Sequence, residues 1–474
     1  MPNGTPPHVV IVGGGLTGLA TAYRLKRVAP GVAVTLLEGR GRVGGNVGTE
    51  SHDGFRVEAG PNGFLDAKPF LPNLCRDLGL SDRLITGSDA ARKNRFLYLR
   101  GRLHQMPAGP LGLLASPLLS PRGKWDLFAE PFRRPKRPTH DESVAEFVTR
   151  RAGKEAARVF ADALVTGIHG GDPAELSAAA AFPRLPVLER TYGSIVRGFL
   201  KSAKQKRRDT LDAERRGVSP PVPAGPPRMW SFREGLQVLT DALASDLGPA
   251  ARTGVSVKSI RRTATGWTVH GDGRDAWPAD AVVLACPAYE QAAVLADLDP
   301  PLADLVGGIR YNRIAVVALG YRQSDCPGVP DGFGYIAPQN TRRDLLGVQW
   351  CSSIYPDRAP AGHVLWRALC GGVHRGDVLQ WDDARLVRAV HAELRLALGV
   401  AGEPVFARVV RWPRAIPQYV VGHLDWVSRI DAAAARHPGL FLTGNAYRGV
   451  ALGDCAEQGG RVAGAVAAFL GRTG

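Results

Sequence analysis

Hydrophobic and polar positions along this chain fall into blocks of different period, and the blocks outline its elements. Val9-Val10-Ile11-Val12 is an unbroken run of β-branched residues and predicts a strand buried on both faces. Leu19 to Leu25 predicts a helix, and Val32 to Leu37 a second buried strand. Phe70, Leu71, Leu74, Leu78 and Leu80 recur at helical spacing over residues 70–80. Residues 95–104 predict a hairpin with Gly101 in its turn. Residues 141–215 are mostly helical by pattern, broken at Gly167-Ile168-His169-Gly170-Gly171-Asp172-Pro173. After a proline-rich connector from Pro220 to Pro227, the second half returns to α/β patterning. Strands are predicted at 255–257, 267–270, 281–285, 314–319, 364–369 and 440–443, with helices after Leu236, at 383–398 and at 455–470. Asp454 and Glu457 have the spacing of a capping box for that last helix. A tail strand and helix with nothing else of their own predict a nucleotide domain assembled from separated segments.

The first forty-five residues carry the clearest chemistry. Gly13-Gly14-Gly15-Leu16-Thr17-Gly18 places a G-x-G-x-x-G turn between the first strand and the first helix. The first glycine permits the tight turn, the second lets backbone approach a pyrophosphate, and the third allows close helix–strand packing. The helix N-terminus then faces the phosphate charge. Glu38 ends the second strand at the spacing of an acid that binds ribose hydroxyls. Arg40, Arg42 and Gly44-Gly45 follow at once, a basic glycine-rich loop that suits FAD better than NAD. At the far end of the chain, the tail helix could aim its N-terminus at the cofactor and stabilise charge on a reduced flavin ring.

Composition changes this picture in a few respects. At 474 residues, 45% apolar and 22% charged, the chain has the makeup of a globular enzyme of two or three domains. Its net charge of +16 implies attraction to anions, whether a lipid surface, an anionic substrate or nothing more specific than solvent counter-ions. No nucleic-acid-binding motif accompanies the charge, so nucleic acid is not expected as a partner. The six cysteines are scattered without a C-x-x-C pair, which predicts a reducing compartment with neither disulfides nor zinc. No signal peptide and no bilayer-spanning run is expected. The apolar run 108–119, followed by Arg122, Lys124, Arg133, Arg134, Lys136 and Arg137, suits either an anionic membrane surface or a pocket wall beside a solvated basic loop.

Several stretches together resemble the protoporphyrinogen oxidase family, within the amine-oxidase-like FAD enzymes. They are Gly13 to Gly18 with Glu38, Arg42-Val43-Gly44-Gly45, Glu58-Ala59-Gly60-Pro61-Asn62 and Asn94-Arg95-Phe96-Leu97-Tyr98. Further along come Gly167 to Pro173, Pro356-Asp357-Arg358-Ala359, Ile416-Pro417-Gln418-Tyr419 and Gly444-Asn445-Ala446-Tyr447-Arg448-Gly449-Val450. The first two mark only FAD enzymes at large; the later ones are specific to porphyrinogen oxidation. The resemblance implies an α/β (overall α+β) fold. A discontinuous Rossmann-like FAD-binding domain would occupy 1–90, 228–295 and 436–474, and a mixed-sheet substrate domain 91–115 and 296–425. A helical membrane-associating domain would occupy 116–215. It also implies six-electron oxidation of a porphyrinogen to a porphyrin in haem synthesis, with oxygen reoxidising FAD and hydrogen peroxide released. Peripheral attachment to the inner face of the cytoplasmic membrane, association with ferrochelatase and a homodimer belong to the same expectation.

Residue by residue, the resemblance assigns FAD contacts to Gly13, Gly14, Gly15, Leu16, Thr17, Gly18, Glu38, Gly39, Arg42 and Gly45. It adds Gly60, Pro61, Asn62 and Gly63, then Val257, Trp412, Asn445, Val450, Ala451 and Leu452. Arg95 would pair with a substrate propionate, a use that suits the planar guanidinium fork. Gly167 and Gly170 would line the pocket beside the reacting carbon, and Ile336 and Tyr355 would sandwich the macrocycle, although phenylalanine is common where Tyr355 stands. His169 is expected to be a wall residue and not a base, and no catalytic side chain is assigned. Three alternatives stay open. Coproporphyrinogen III could be the substrate; the chain could be an amine oxidase or a desaturase; or it could be a FAD-binding scaffold without turnover. The tail motif has no cysteine before Cys455, so covalent flavin is not expected.

Overall fold

The computed structural model describes residues 6–107, 109–135, 140–216 and 227–473. Lys136 and Arg137 of the basic stretch, and residues 220–226 of the connector, lie outside the described residues.

The first strand, His8–Val12, sits at the centre of a five-stranded sheet ordered Ala251–Thr253, Ala33–Glu38, His8–Val12, Ala281–Leu284 and Leu440–Leu442. Every pairing in it is parallel. A parallel sheet needs cover on both faces, and this explains the unbroken apolar runs: Val9, Val10, Ile11 and Ala281 to Leu284 are fully buried. Helices Leu16–Val28, Gln237–Leu247 and Leu452–Thr473 pack on one face. A small antiparallel sheet, Ser259–Arg262, Trp267–His270 and Ala276–Ala279, lies on the other with helices Ala288–Leu295, Pro300–Gly307 and His423–Ala434. The first and last helices meet closely because Gly459 lies against the first: a Cβ there would stand 2.8 Å from Ala20 Cβ and 3.0 Å from Thr17 O.

A seven-stranded mixed sheet forms the second layer, ordered Phe406–Trp412, Arg313–Arg322, His363–Gly372, Leu345–Gln349, Gly334–Ile336, Arg95–Leu99 and Arg102–Gln105. Its pairings are antiparallel except that of Gly334–Ile336 with Arg95–Leu99, which is parallel and sets Arg95 opposite Gly334 and Leu97 opposite Ile336. Helices between residues 121 and 215 make the third part. In their interior the buried Glu130 binds Arg151 and accepts from Ser194 Oγ (2.6 Å) and from the N–H groups of Ile195 (3.0 Å) and Val196 (3.2 Å), which caps the long helix Ile195–Arg215.

Three local readings are corrected. Residues 255–257 are extended but unpaired as a strand; the chain crosses the end of Ala33–Glu38 there, with Val255 N–H donating to Glu38 O. The helix expected over 70–80 ends at Asp77, stopped by Gly79 at φ +69°. The tail helix begins at Leu452, so Asp454 and Glu457 lie inside it and form no capping box with each other, although Asp454 Oδ2 accepts from Ala451 N–H (3.2 Å) at the helix start. Both bind Lys68 Nζ, at 2.6 and 2.7 Å.

Candidate active site

A cleft of about 660 Å³ runs between the parallel sheet and the mixed sheet. At one end stands the glycine turn. Gly13 adopts φ +109°, and a Cβ there would meet the backbone of Cys286 at 2.5 Å. Gly18 lies against Gly13 O, whereas nothing stands within 4 Å of a Cβ built at Gly15. The first and third glycines are therefore packing requirements, and the second opens onto the cleft. Gly44 N–H donates to Gly14 O (2.7 Å), which docks the Gly44-Gly45 loop beside the turn.

Glu38 is buried and holds this arrangement: Oε2 accepts from Gly14 N–H (2.7 Å) and Oε1 from Arg40 N–H (2.8 Å). Its remaining lone pairs face the cleft, where ribose hydroxyls could donate to them.

Of the expected FAD contacts, Gly13, Gly15, Leu16, Thr17, Glu38, Gly39, Gly45, Gly60, Pro61, Asn62, Gly63, Val257, Trp412, Asn445, Val450 and Leu452 line this one cleft, and so does Gly167. Gly14, Gly18 and Ala451 stand directly behind it; Ala451 N–H is turned to Asp454 Oδ2. Arg42 is a correction. Its guanidinium donates to Val43 O, Val47 O and Gly45 O, so it shapes the loop from within, while Arg40 lines the cleft.

The Glu58-Ala59-Gly60-Pro61-Asn62 motif meets the Pro356-Asp357-Arg358-Ala359 motif in the interior. Arg358, wholly buried, donates to Ser231 Oγ (2.8 Å) and lies 3.3 Å from Glu58, whose carboxylate also accepts from Leu236 N–H and Thr49 Oγ1. Burial pushes the Glu58 pKa up against the opposing pull of Arg358. The strand end thus fixed presents Asn62 to the cleft. Asn62 is buried, and neither polar atom of its side-chain amide has a partner among the described residues, a costly state unless something in the cleft supplies one. An open glycine cradle, a carboxylate with spare lone pairs, an orphaned amide and the N-terminal ends of two helices together fit a flavin dinucleotide.

Sequence reasoning missed Arg367, Gln349, Met229 and Cys286, all of which line the cleft. Arg367 donates to Glu58 O, Gly60 O and Gln349 Oε1, and burial pulls its pKa down. A lone arginine inside the apolar strand His363–Gly372 was the available signal. Burial pushes the Cys286 thiol up, so it stays protonated.

The residues expected around the substrate are more dispersed. Gly167 and Ile168 line the cleft, and a Cβ at Gly167 would stand 2.6 Å from Ile336 Cδ1. Ile336 itself packs with Leu97, Leu118, Val159 and Ala163. Arg95 lies two residues before Leu97 on the same face of its strand, outside the cleft lining. Its guanidinium rests over Phe333 (4.8 Å to the ring centroid), neighbouring atoms lower its pKa by desolvation, and among the described residues it has no ion pair. Gly170, at φ +52°, is the left-handed cap of helix Asp162–His169 and contacts Asn312, not the cleft. Tyr355 is fully buried one layer behind Gly63 and presents no ring face to the cleft, because the turn at Gly63 runs between them. His169 is likewise interior, edge-on to Phe182 at 5.4 Å, and burial pulls its pKa down to about 4.

The sequence profile of the family described as "Flavin containing amine oxidoreductase" matches residues 16–467. The chain belongs to that family. Its cofactor is FAD. The chain is 35% identical to a chloroplastic protoporphyrinogen oxidase of Nicotiana tabacum, over 98% of its own length and 86% of the relative's. It is 28% identical to a coproporphyrinogen III oxidase of Bacillus subtilis (strain 168), over 95% and 96%. A crystal structure from Exiguobacterium sp. 255-15 superposes with a TM-score of 0.82 at 25% identity, covering 98% of this chain and 99% of that one. Gly167, the tail-motif residues Asn445 and Val450, and the polar Asn62 and Arg367 all line the cleft that would hold the cofactor.

Proposed function

We propose that the protein is a protoporphyrinogen IX oxidase that converts the porphyrinogen and three molecules of oxygen into protoporphyrin IX and three molecules of hydrogen peroxide. The observation that carries this reading is the Arg95 guanidinium, without an ion pair among the described residues, on the strand beside Ile336, whose side chain stands against Gly167 of the FAD cleft. Bound FAD supplies the two-electron oxidant for each of the three steps and passes electrons to oxygen. The chain's own residues bind and orient. Arg95 takes a propionate through two of its three guanidinium nitrogens, which fixes one edge of the macrocycle. Gly167, backed by Ile336, gives a flat substrate room to approach, and Ile168 and Met229 add apolar lining that excludes water. His169 stays neutral and interior, so it does not serve as a base.

The same reading divides the chain into FAD-binding segments 1–90, 228–295 and 436–474, substrate segments 91–115 and 296–425, and helices 116–215. The helices carry exposed Trp125, Phe132 and Leu200, with Lys201 and Lys204 following Leu200 in the chain, and Leu111 and Leu114 just before them are exposed too, which supports docking on an anionic membrane surface. Among the described residues, no helix is long and apolar enough to cross a membrane. Association with ferrochelatase and homodimerisation complete the proposal, testable by co-purification and analytical ultracentrifugation.

The deciding experiment offers protoporphyrinogen IX and coproporphyrinogen III separately to the FAD-loaded protein and follows porphyrin fluorescence. Faster turnover of the first supports the proposal. Faster turnover of the second moves the enzyme to the coproporphyrin route, the reading that the Bacillus relative favours. No turnover of either by yellow, flavin-loaded protein overturns it.

A further inference from the structure

The wall that carries Gly167 is braced from a carboxylate that the cleft never touches. Residues 154–169 form a single helical stretch with a π-helical turn at Ala157–Ala161, and Asp162 begins the α-helix that follows it. Its side chain is buried without a cation beside it among its hydrogen bonds. Oδ1 accepts from Gln339 N–H (3.0 Å) and Thr166 Oγ1 (3.0 Å), and Oδ2 from Asn340 N–H (3.1 Å). A buried carboxylate held by neutral donors is expensive, and is retained only where those donors are held in place.

The donors belong to the turn Gln339–Thr341, which starts three residues after Ile336. That turn also reaches back. Asn340 Nδ2 donates to Arg158 O (2.9 Å) inside the π-turn, and Gln339 Nε2 donates to Gly171 O. The far end of the wall is held separately, since Asn312 Nδ2 donates to His169 O (2.8 Å) and Gln418 Nε2 donates to the same oxygen (3.0 Å). The helix is therefore fixed to the mixed sheet at both ends, and Gly167 meets Ile336 between them.

We propose that Asp162 is a positioning residue: by holding the Gln339–Asn340 backbone it sets the spacing between Gly167 and Ile336, and through it the slot in which the substrate lies. This rests on the porphyrinogen reading of the cleft. Asp162→Asn keeps the shape but turns an amide group towards a backbone N–H that needs an acceptor, so the turn must shift.

The test separates the two halves of the catalytic cycle in stopped flow. With protoporphyrinogen IX and no oxygen, flavin reduction in Asp162→Asn should slow by about tenfold, as expected for a misplaced substrate. Reoxidation of the photoreduced flavin by oxygen should keep its wild-type rate, as should the flavin content. Asn340→Ala, which removes only the bond to Arg158 O, should show the same split to a smaller extent and covers the case in which Asp162→Asn fails to fold. Wild-type reduction rates in either folded variant, or equal losses in both half-reactions, would overturn the proposal. Wild-type protein whose flavin no porphyrinogen reduces would instead overturn the substrate reading itself.

Discussion

Arg95 and His169 show how differently two polar residues near one wall behave. Arg95 is a guanidinium without an ion pair among the described residues, poised over Phe333. A charge-assisted bidentate contact contributes about 1.5–3 kcal/mol, so Arg95→Ala should raise KM for the porphyrinogen by about 10- to 100-fold while FAD stays bound. Steady-state kinetics with the flavin absorbance of the purified variant checks both halves, and loss of flavin would count against the assignment. Burial lowers the pKa of His169 as well. Its folded pKa, about 4, lies below the ordinary 6.5, so the unfolded chain binds more protons across that interval. Stability therefore falls as pH drops from 6.5 towards 4, by about 3 kcal/mol from this group alone. His169→Leu should lose that slope, seen as a smaller fall in urea midpoint between pH 6.5 and 4, with the pH–rate profile near neutrality unchanged. The sequence shows an arginine and a histidine in their motifs. It does not show that one has no ion pair among the described residues and the other is buried, because both are facts about neighbours distant in the chain.

At the level of elements, period and punctuation were mostly readable. The buried runs at Val9–Val12 and Ala281–Leu284, the hairpin at 95–104 and the helix Asp383–Leu398 follow from local pattern and turn chemistry. The misreadings have a common cause. Val255 and Val257 flank Ser256 in the alternation a strand would have, yet these residues serve the cleft edge and join no strand ladder among the described residues. Asp454 and Glu457 have capping spacing, yet the helix starts two residues earlier and Lys68, 386 and 389 residues away in sequence, binds one oxygen of each carboxylate. Helix contacts are just as dependent on distant partners. Gly459 reads as a weak helix residue, but its missing side chain lets the last helix lie on the backbone of the first. Gly459→Val should cost about 1–3 kcal/mol through overpacking, lowering Tm. Since the first helix opens at the glycine cradle, the same variant should bind FAD less tightly by flavin titration.

On the scale of the whole molecule, the exposed apolar residues of the helical part stand out from a chain of net charge +16. Vesicles containing anionic phospholipid should co-sediment the protein at low salt, and added salt should release it, since each nearby Lys or Arg contributes about 1 kcal/mol that screening removes. Replacing Trp125 and Phe132 together by serine should weaken that binding without altering flavin content. Binding that ignores both lipid charge and salt would remove the electrostatic part of the proposal. By itself, the sequence determined the dinucleotide turn and the acid that closes it, and most of the contacts it suggested for FAD line the cleft, because a glycine-rich turn between a buried strand and a helix has few physical uses. Tertiary structure alone decided that the side-chain amide of Asn62 is left without a partner among the described residues, that Arg367 lines the cleft and Tyr355 does not. It also decided that Asp162 braces the wall. Those outcomes depend on which parts of the chain come to lie beside a given side chain, and such neighbours, often more than a hundred residues away, leave no local period to read.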